Sequence, residues 1–167
     1  MIRGLDYPDS QNQLKIMKVL IIYISIHYGN TERIAEAMAE VLNAELLKPN
    51  EIESDTLGEY DLVGFGSGSY FWRHHKELLN LVKEMPRLHN KAFIFSTRGG
   101  GPAWLSHREL KKTLLSKGFD VVGEFSCKGF DTFGALRIIG GINKGKPDEK
   151  DLENAKRFAV ALRERIG

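Results

Sequence analysis

Apolar positions along this chain switch between two spacings, and each switch marks a change of element. Residues 19–24, Val-Leu-Ile-Ile-Tyr-Ile, are apolar without a break and rich in β-branched side chains, which predicts a strand covered on both faces. From Ile34 the period lengthens: Ile34, Met38 and Leu42 recur every four residues beside Ala35 and Ala39, one apolar stripe of a helix. Residues 44–49 predict a short second strand closed by Pro49, and residues 61–66 a third strand after a polar connector. Leu78, Leu79, Val82 and Met85 form the buried side of a helix that Pro86 ends. Residues 91–95 and 119–125 predict the fourth and fifth strands. Between them lies a helix carrying Leu105, Leu110, Leu114 and Leu115, with Lys117-Gly118 as its C-cap. Residues 126–147 are glycine-rich and show no period. Asp148 then caps a last helix with the stripe Leu152, Ala155, Ala159, Leu162 and Ile166. Strands alternating with helices in this way predict an α/β fold, a doubly wound five-stranded parallel sheet with helices on both faces.

Composition narrows the class. A formal charge of +2 with no dense Lys/Arg tract gives no footprint for nucleic acid. The longest apolar run has the length of a strand, far short of the roughly 20 residues of a membrane helix. Residues 1–18 are polar and lack an apolar signal core. The one cysteine, Cys127, excludes an internal disulfide and suits a reducing compartment, so a cytoplasmic protein is expected. Residues 1–16 carry no periodic pattern and are expected to be an extension, with one domain over residues 17–167.

Ligands of open parallel sheets sit beyond the carboxyl ends of the strands. Three loops there carry the polar groups that chemistry needs. After the first strand, Ser25, His27, Tyr28, Gly29, Asn30 and Thr31 lead into a helix. Asn30 is a good N-cap, and free amides behind a hydroxyl-lined turn suit a phosphate. After the third strand, Ser67, Gly68, Ser69, Tyr70, Phe71 and Trp72 combine backbone freedom with three adjacent aromatic faces. After the fourth, Ser96, Thr97, Arg98, Gly99 and Gly100 offer donors for the edge of a polar ring. Phosphate at one end and a flat polar ring at the other describe a flavin or another nucleotide.

Tyr23-x-Ser25-x-x-x-Gly29-Asn30-Thr31-x-x-x-Ala35 resembles the phosphate-loop signature of the flavodoxin family, and the loops at 67–72 and 96–100 resemble its two ring-binding loops. The resemblance implies strand order 2-1-3-4-5 with FMN, bound non-covalently, at the carboxyl edge. It departs from the family pattern in one place, since three residues rather than two separate Ser25 from Gly29. The resemblance also ranks two activities. The first is a carrier that moves electrons between redox proteins; the second is an FMN-dependent NAD(P)H:quinone-type oxidoreductase. Beyond scattered histidines no acid–base constellation is present, and no catalytic residue or metal ligand is assigned. A monomer or a homodimer is compatible with either activity.

Other patterns point elsewhere and are set aside. Residues 140–147 have P-loop spacing up to Lys146, but Pro147 stands where a Ser or Thr should reach magnesium. The first and third strands lack the clustered acidic residues of a phospho-receiver domain. His74-His75 reads as a solvated helix start and Cys127 as a small semi-buried residue. The long 126–147 connection leaves the fifth strand at the ligand edge, so it is expected either to fold Phe130 or Phe133 over the cofactor or its entry, or to pack as a structural loop on the sheet edge.

Overall fold

A computed structural model describes residues 16–167, so the expected extension lies, Ile16 apart, outside the described residues. The strands are β1 (Val19–Ile24), β2 (Glu45–Leu47), β3 (Leu62–Tyr70), β4 (Arg73–His74), β5 (Lys91–Arg98) and β6 (Asp120–Lys128). The helices are α1 (Asn30–Leu42), α2 (Lys76–Glu84), α3 (Ala103–Ser116) and α4 (Glu149–Ile166). The main sheet runs β2-β1-β3-β5-β6, all parallel, which is the expected 2-1-3-4-5 order once the two-residue β4 is left uncounted.

Period-two alternation distributes the sheet between two apolar cores. Val19, Ile21 and Tyr23 of β1 face α1 and α4, while Leu20, Ile22 and Ile24 face α2 and α3. On the α1/α4 side β3 places Leu62 and then Gly64 and Gly66, and each glycine stands in register with a phenylalanine of β5: Gly64 with Phe93, Gly66 with Phe95. The rings lie across the bare glycine backbone, and a Cβ at Gly66 would sit 2.1 Å from Phe95 Cζ. Gly66→Ala therefore overpacks a closed site, and a urea melt should show a loss of about 2 kcal/mol that Phe95→Leu in the same chain largely restores. A melt unchanged by Gly66→Ala would show that the ring can move aside.

β3 and β5 run three to four residues further than expected. Ser67, Gly68, Ser69 and Tyr70 belong to β3, and Ser96, Thr97 and Arg98 belong to β5, where a loop was expected in both cases. β3 then turns back into β4 through Phe71 and Trp72, both left-handed at φ 48 and 64. Two such residues make a tight hairpin turn that glycine or asparagine normally fills. Aromatic residues there store backbone strain on the order of 1–2 kcal/mol each, a cost that tends to be kept where placement matters.

Candidate functional site

The carboxyl ends of β1, β3, β5 and β6 enclose an open cleft of about 660 Å³, counting the space at its mouth. One end is the turn into α1. Tyr28 and Gly29 are consecutively left-handed, and Gly29 rather than Asn30 occupies the cap position. The expected Asn30 cap is thus corrected: Asn30 is the first residue of α1, and its Nδ2 donates to Phe130 O at 2.9 Å. Nothing crowds Gly29, so its role is the positive φ that lets the chain enter the helix with free amides at the cleft. Ser25 Oγ, between β1 and α1 but outside the cleft lining, is buried with no hydrogen-bond partner among the described residues. An orphaned hydroxyl beside free helix amides is the donor set that a phosphate satisfies. Thr31, also at the cleft, meets Thr97 across it, Oγ1 to Oγ1 at 2.9 Å.

The other end is aromatic. Gly68, Ser69, Tyr70 and Phe71 line one wall, Thr97, Arg98 and Gly99 the floor, and Phe130, Asp131 and Phe133 the far wall. Burial raises the Tyr70 phenol above its usual pKa, with the Asp131 carboxylate adding to the effect, so it remains a neutral donor. The Phe71 ring meets Phe133 edge-on at 5.4 Å. Tyr28 is exposed but braces the far wall: its ring lies 4.6 Å from Phe130 and its hydroxyl 2.8 Å from Thr132 Oγ1. Asn143 Nδ2 ties the same segment to Gly99 O at 2.7 Å. Phe130 and Phe133 both line the cleft, and Gly129 N donates to Arg98 O at the end of β5, which ties the segment carrying them to the sheet.

Not every expected residue faces the cleft. Once the strands are extended, alternation sends Ser67 and Ser96 to the α2/α3 side. Ser67 Oγ lies 2.8 Å from His74 Nδ1 and accepts the His75 amide. Ser96 Oγ lies 2.8 Å from His107 Nε2. Trp72 turns away from the cleft and covers Gly101, where a Cβ would meet the indole at 1.5 Å. Gly100 is exposed with open space around it, and His27 stands at the cleft mouth, 6.3 Å ring to ring from Tyr70. Ile26, Gly129 and Asp131 line the cleft without having been singled out. The last two follow β6, and extending that strand to Lys128 is what would have flagged them.

Behind the floor runs a partly buried polar chain with one consistent direction. Glu124 accepts from His107 Nδ1–H at 3.0 Å, which leaves Nε2 to accept the Ser96 hydroxyl. Ser96 then accepts from Ser126, and Ser126 from Arg98 Nε–H at 3.0 Å. Arg98 Nη1 donates to Gly101 O at 2.6 Å, so the guanidinium is held at both ends beside the cleft. Burial keeps His107 below the usual histidine pKa against the pull of Glu124, in keeping with a neutral ring. His74 corrects the expectation of a solvated pair. It is buried, and burial with the nearby His107 ring depresses its pKa to about 3. His75 does begin α2, accepting the Glu77 amide.

The set-aside patterns stay structural. Lys146 bridges Asp148 and Asp151 at the start of α4. Burial pushes the Cys127 thiol up to about 12, which removes thiolate reactivity near neutral pH. Among the described residues no three His, Cys, Asp or Glu side chains gather as a metal site, and no helix is long and apolar enough to cross a membrane.

This strand order, with its cleft at the carboxyl edge over a helix N-terminus, is that of the flavodoxins, and the chain belongs to that family: the flavodoxin-domain model matches residues 20–133. An uncharacterized protein of Methanocaldococcus jannaschii is 46% identical over 148 residues, covering 87% of this chain and 98% of its own. An NAD(P)H dehydrogenase (quinone) of Sinorhizobium fredii is 27% identical over 83% of this chain and 92% of its own. Among solved structures, flavodoxin 1 from Bacillus cereus superposes with a TM-score of 0.69 at 17% identity, covering 90% of this chain and 99% of its own.

Proposed function

We propose that the cleft binds FMN and that the protein carries electrons between redox proteins of the cytoplasm. The observation that carries this reading is an aromatic-walled cleft that opens at the N-terminus of α1, behind a turn that carries the orphaned Ser25 hydroxyl. FMN, when bound, accepts and returns electrons one or two at a time. In this reading Ser25, Asn30, Thr31 and the backbone of residues 27–29 hold the phosphate. Gly68, Ser69, Tyr70 and Phe71 would hold the ring from one wall, Thr97, Arg98 and Gly99 would address its polar edge, and Phe130 and Phe133 would hold it from the far wall. Carrier rather than enzyme is supported by the fate of the histidines: His74 and His107 are sealed in the core, and among the described residues His27 is the one histidine that lines the cleft. The absorption spectrum of the purified protein tests the cofactor directly. Flavin bands and a tight one-to-one FMN titration are expected, and a chain that neither carries nor takes up FMN would overturn the reading.

A second reading, an FMN-dependent NAD(P)H:quinone-type oxidoreductase, draws on the likeness to the Sinorhizobium dehydrogenase. Mixing the FMN-loaded protein anaerobically with NADPH or NADH separates the two. Slow or no bleaching supports the carrier, and bleaching within seconds supports the reductase.

A further inference from the structure

The face of α3 opposite the sheet is unusually rich in the groups that make protein interfaces. Trp104 is 64% exposed and Leu115 52%, and between them the same helix presents Arg108, Lys111 and Lys112. A shallow depression joins these side chains, and a second, sharing Arg108 and Lys112, continues over Leu105 and Trp72 to Phe71. Phe71, 77% exposed, also lines the cofactor cleft, so one surface runs from the cleft mouth along α3. Indole and guanidinium groups are the side chains most enriched at binding hot spots.

The charge on this surface has one sign left over. Glu109 is shared by Arg73 at 2.6 Å and Lys83 at 3.3 Å, and Glu124 is taken by Lys111. Arg108 and Lys112 have no ion-pair partner among the described residues. Two carboxylates therefore answer five cations. Three basic groups nearer the cleft contribute less: Arg73 is neutralised by Glu109, Arg98 is turned onto Ser126 and Gly101, and His74 is buried. The Trp72 indole lies on the Gly101 backbone, which gives the surface a fixed aromatic step between cleft and helix.

We propose that the α3 face, from Phe71 to Leu115, is the docking surface for a partner protein with an acidic patch, seated so that its redox centre approaches the cleft at Phe71. The electron path rests on the FMN reading above; the docking itself does not. Unpaired cations steer an acidic partner and accelerate encounter, and the exposed Trp104 supplies the apolar contact that persists when salt screens the charges.

The test uses the full chain as purified and an acidic plant-type ferredoxin as the probe, with cationic cytochrome c as the opposite-charge control. Binding is followed by isothermal titration at low and high salt, and flavin absorbance is recorded separately. The ferredoxin is expected to bind at low salt and to weaken at least tenfold on raising salt from about 20 to 300 mM. The double variant Arg108→Glu, Lys112→Glu should weaken ferredoxin binding by a further tenfold or more at low salt and strengthen binding of cytochrome c. Trp104→Ala should weaken the ferredoxin several-fold at both salt levels. Neither Arg108 nor Lys112 lines the cleft, so FMN affinity should stay within twofold in the double variant. Absence of ferredoxin binding, or affinities that the charge reversal leaves unchanged, would overturn the proposal even if FMN binds. So would a wild-type dimer in sedimentation that Trp104→Ala dissociates, since the face would then belong to a second copy. Failure of FMN to bind would overturn the cofactor reading and leave the ferredoxin titration to decide docking.

Discussion

Asn30→Asp should lower FMN affinity by a hundredfold or more while leaving riboflavin affinity within a few-fold. The substitution keeps the size of the side chain and places a carboxylate at the start of α1, inside the cleft. Two unit charges about 5 Å apart at an effective dielectric near 20 repel by about 3 kcal/mol, which corresponds to two decades in affinity, and a phosphate dianion adds to this. Riboflavin has the same ring and no phosphate, so it reports on everything the substitution does except that repulsion. Asn30 also donates to Phe130 O, and an aspartate there sets two acceptors face to face. This part of the effect, about 1–2 kcal/mol, acts on both ligands and on apoprotein stability alike. Fluorescence-quenching titrations of the two flavins separate the contributions. Equal losses for FMN and riboflavin would remove the phosphate from the α1 turn.

The second large effect is acid lability centred on His74. Its folded pKa of about 3 lies below the ordinary histidine value of 6.5, because burial penalises the imidazolium and the His107 ring opposes it. A group depressed in this direction binds its proton more readily in the unfolded chain. The stability it supports is therefore complete above pH 6.5 and is lost as pH falls towards 3. Each pH unit in that window costs about 1.4 kcal/mol, so about 2–3 kcal/mol disappears between pH 6.5 and 4.5. His107, also depressed by burial, acts in the same sense. Glu109 is held low chiefly by its Arg73 hydrogen bond, and Glu124 is held low by Lys111 and His107 despite its burial. Both lose their stabilising effect only as pH approaches the carboxylate range. Urea denaturation at pH 7.5, 6 and 5 should show this early decline, and His74→Leu should flatten most of it. A midpoint constant from pH 7 to 5 would show that His74 titrates normally and is not sealed from water.

The two effects differ in how far the sequence announces them. Asn30 could be placed at a helix start beside a phosphate loop from its neighbours alone. The burial of His74 could not, because Ser67 and His107, the groups around it, are reached through a hairpin and through a helix on another segment. A pair of adjacent histidines before a helix looks solvated until the strained turn at Phe71 and Trp72 folds one of them inwards.

By itself the sequence determined the succession along the chain of the five main strands and four helices, the doubly wound parallel sheet and the edge at which the cleft opens. These follow from the period of apolar residues and from helix-terminal residues, signals carried within a dozen positions. Tertiary structure alone decided which side chains face the cleft. Gly-Ser runs read locally as loops, yet residues 67–70 and 96–98 continue their strands because neighbouring strands complete their hydrogen bonds. Alternation then sends Ser67 and Ser96 towards the buried histidines. The far wall, residues 129–133, meets Tyr28 and Asn30 a hundred positions away in sequence. Contacts across such a distance leave no periodic trace in the chain, and only the folded sheet brings their residues to one edge.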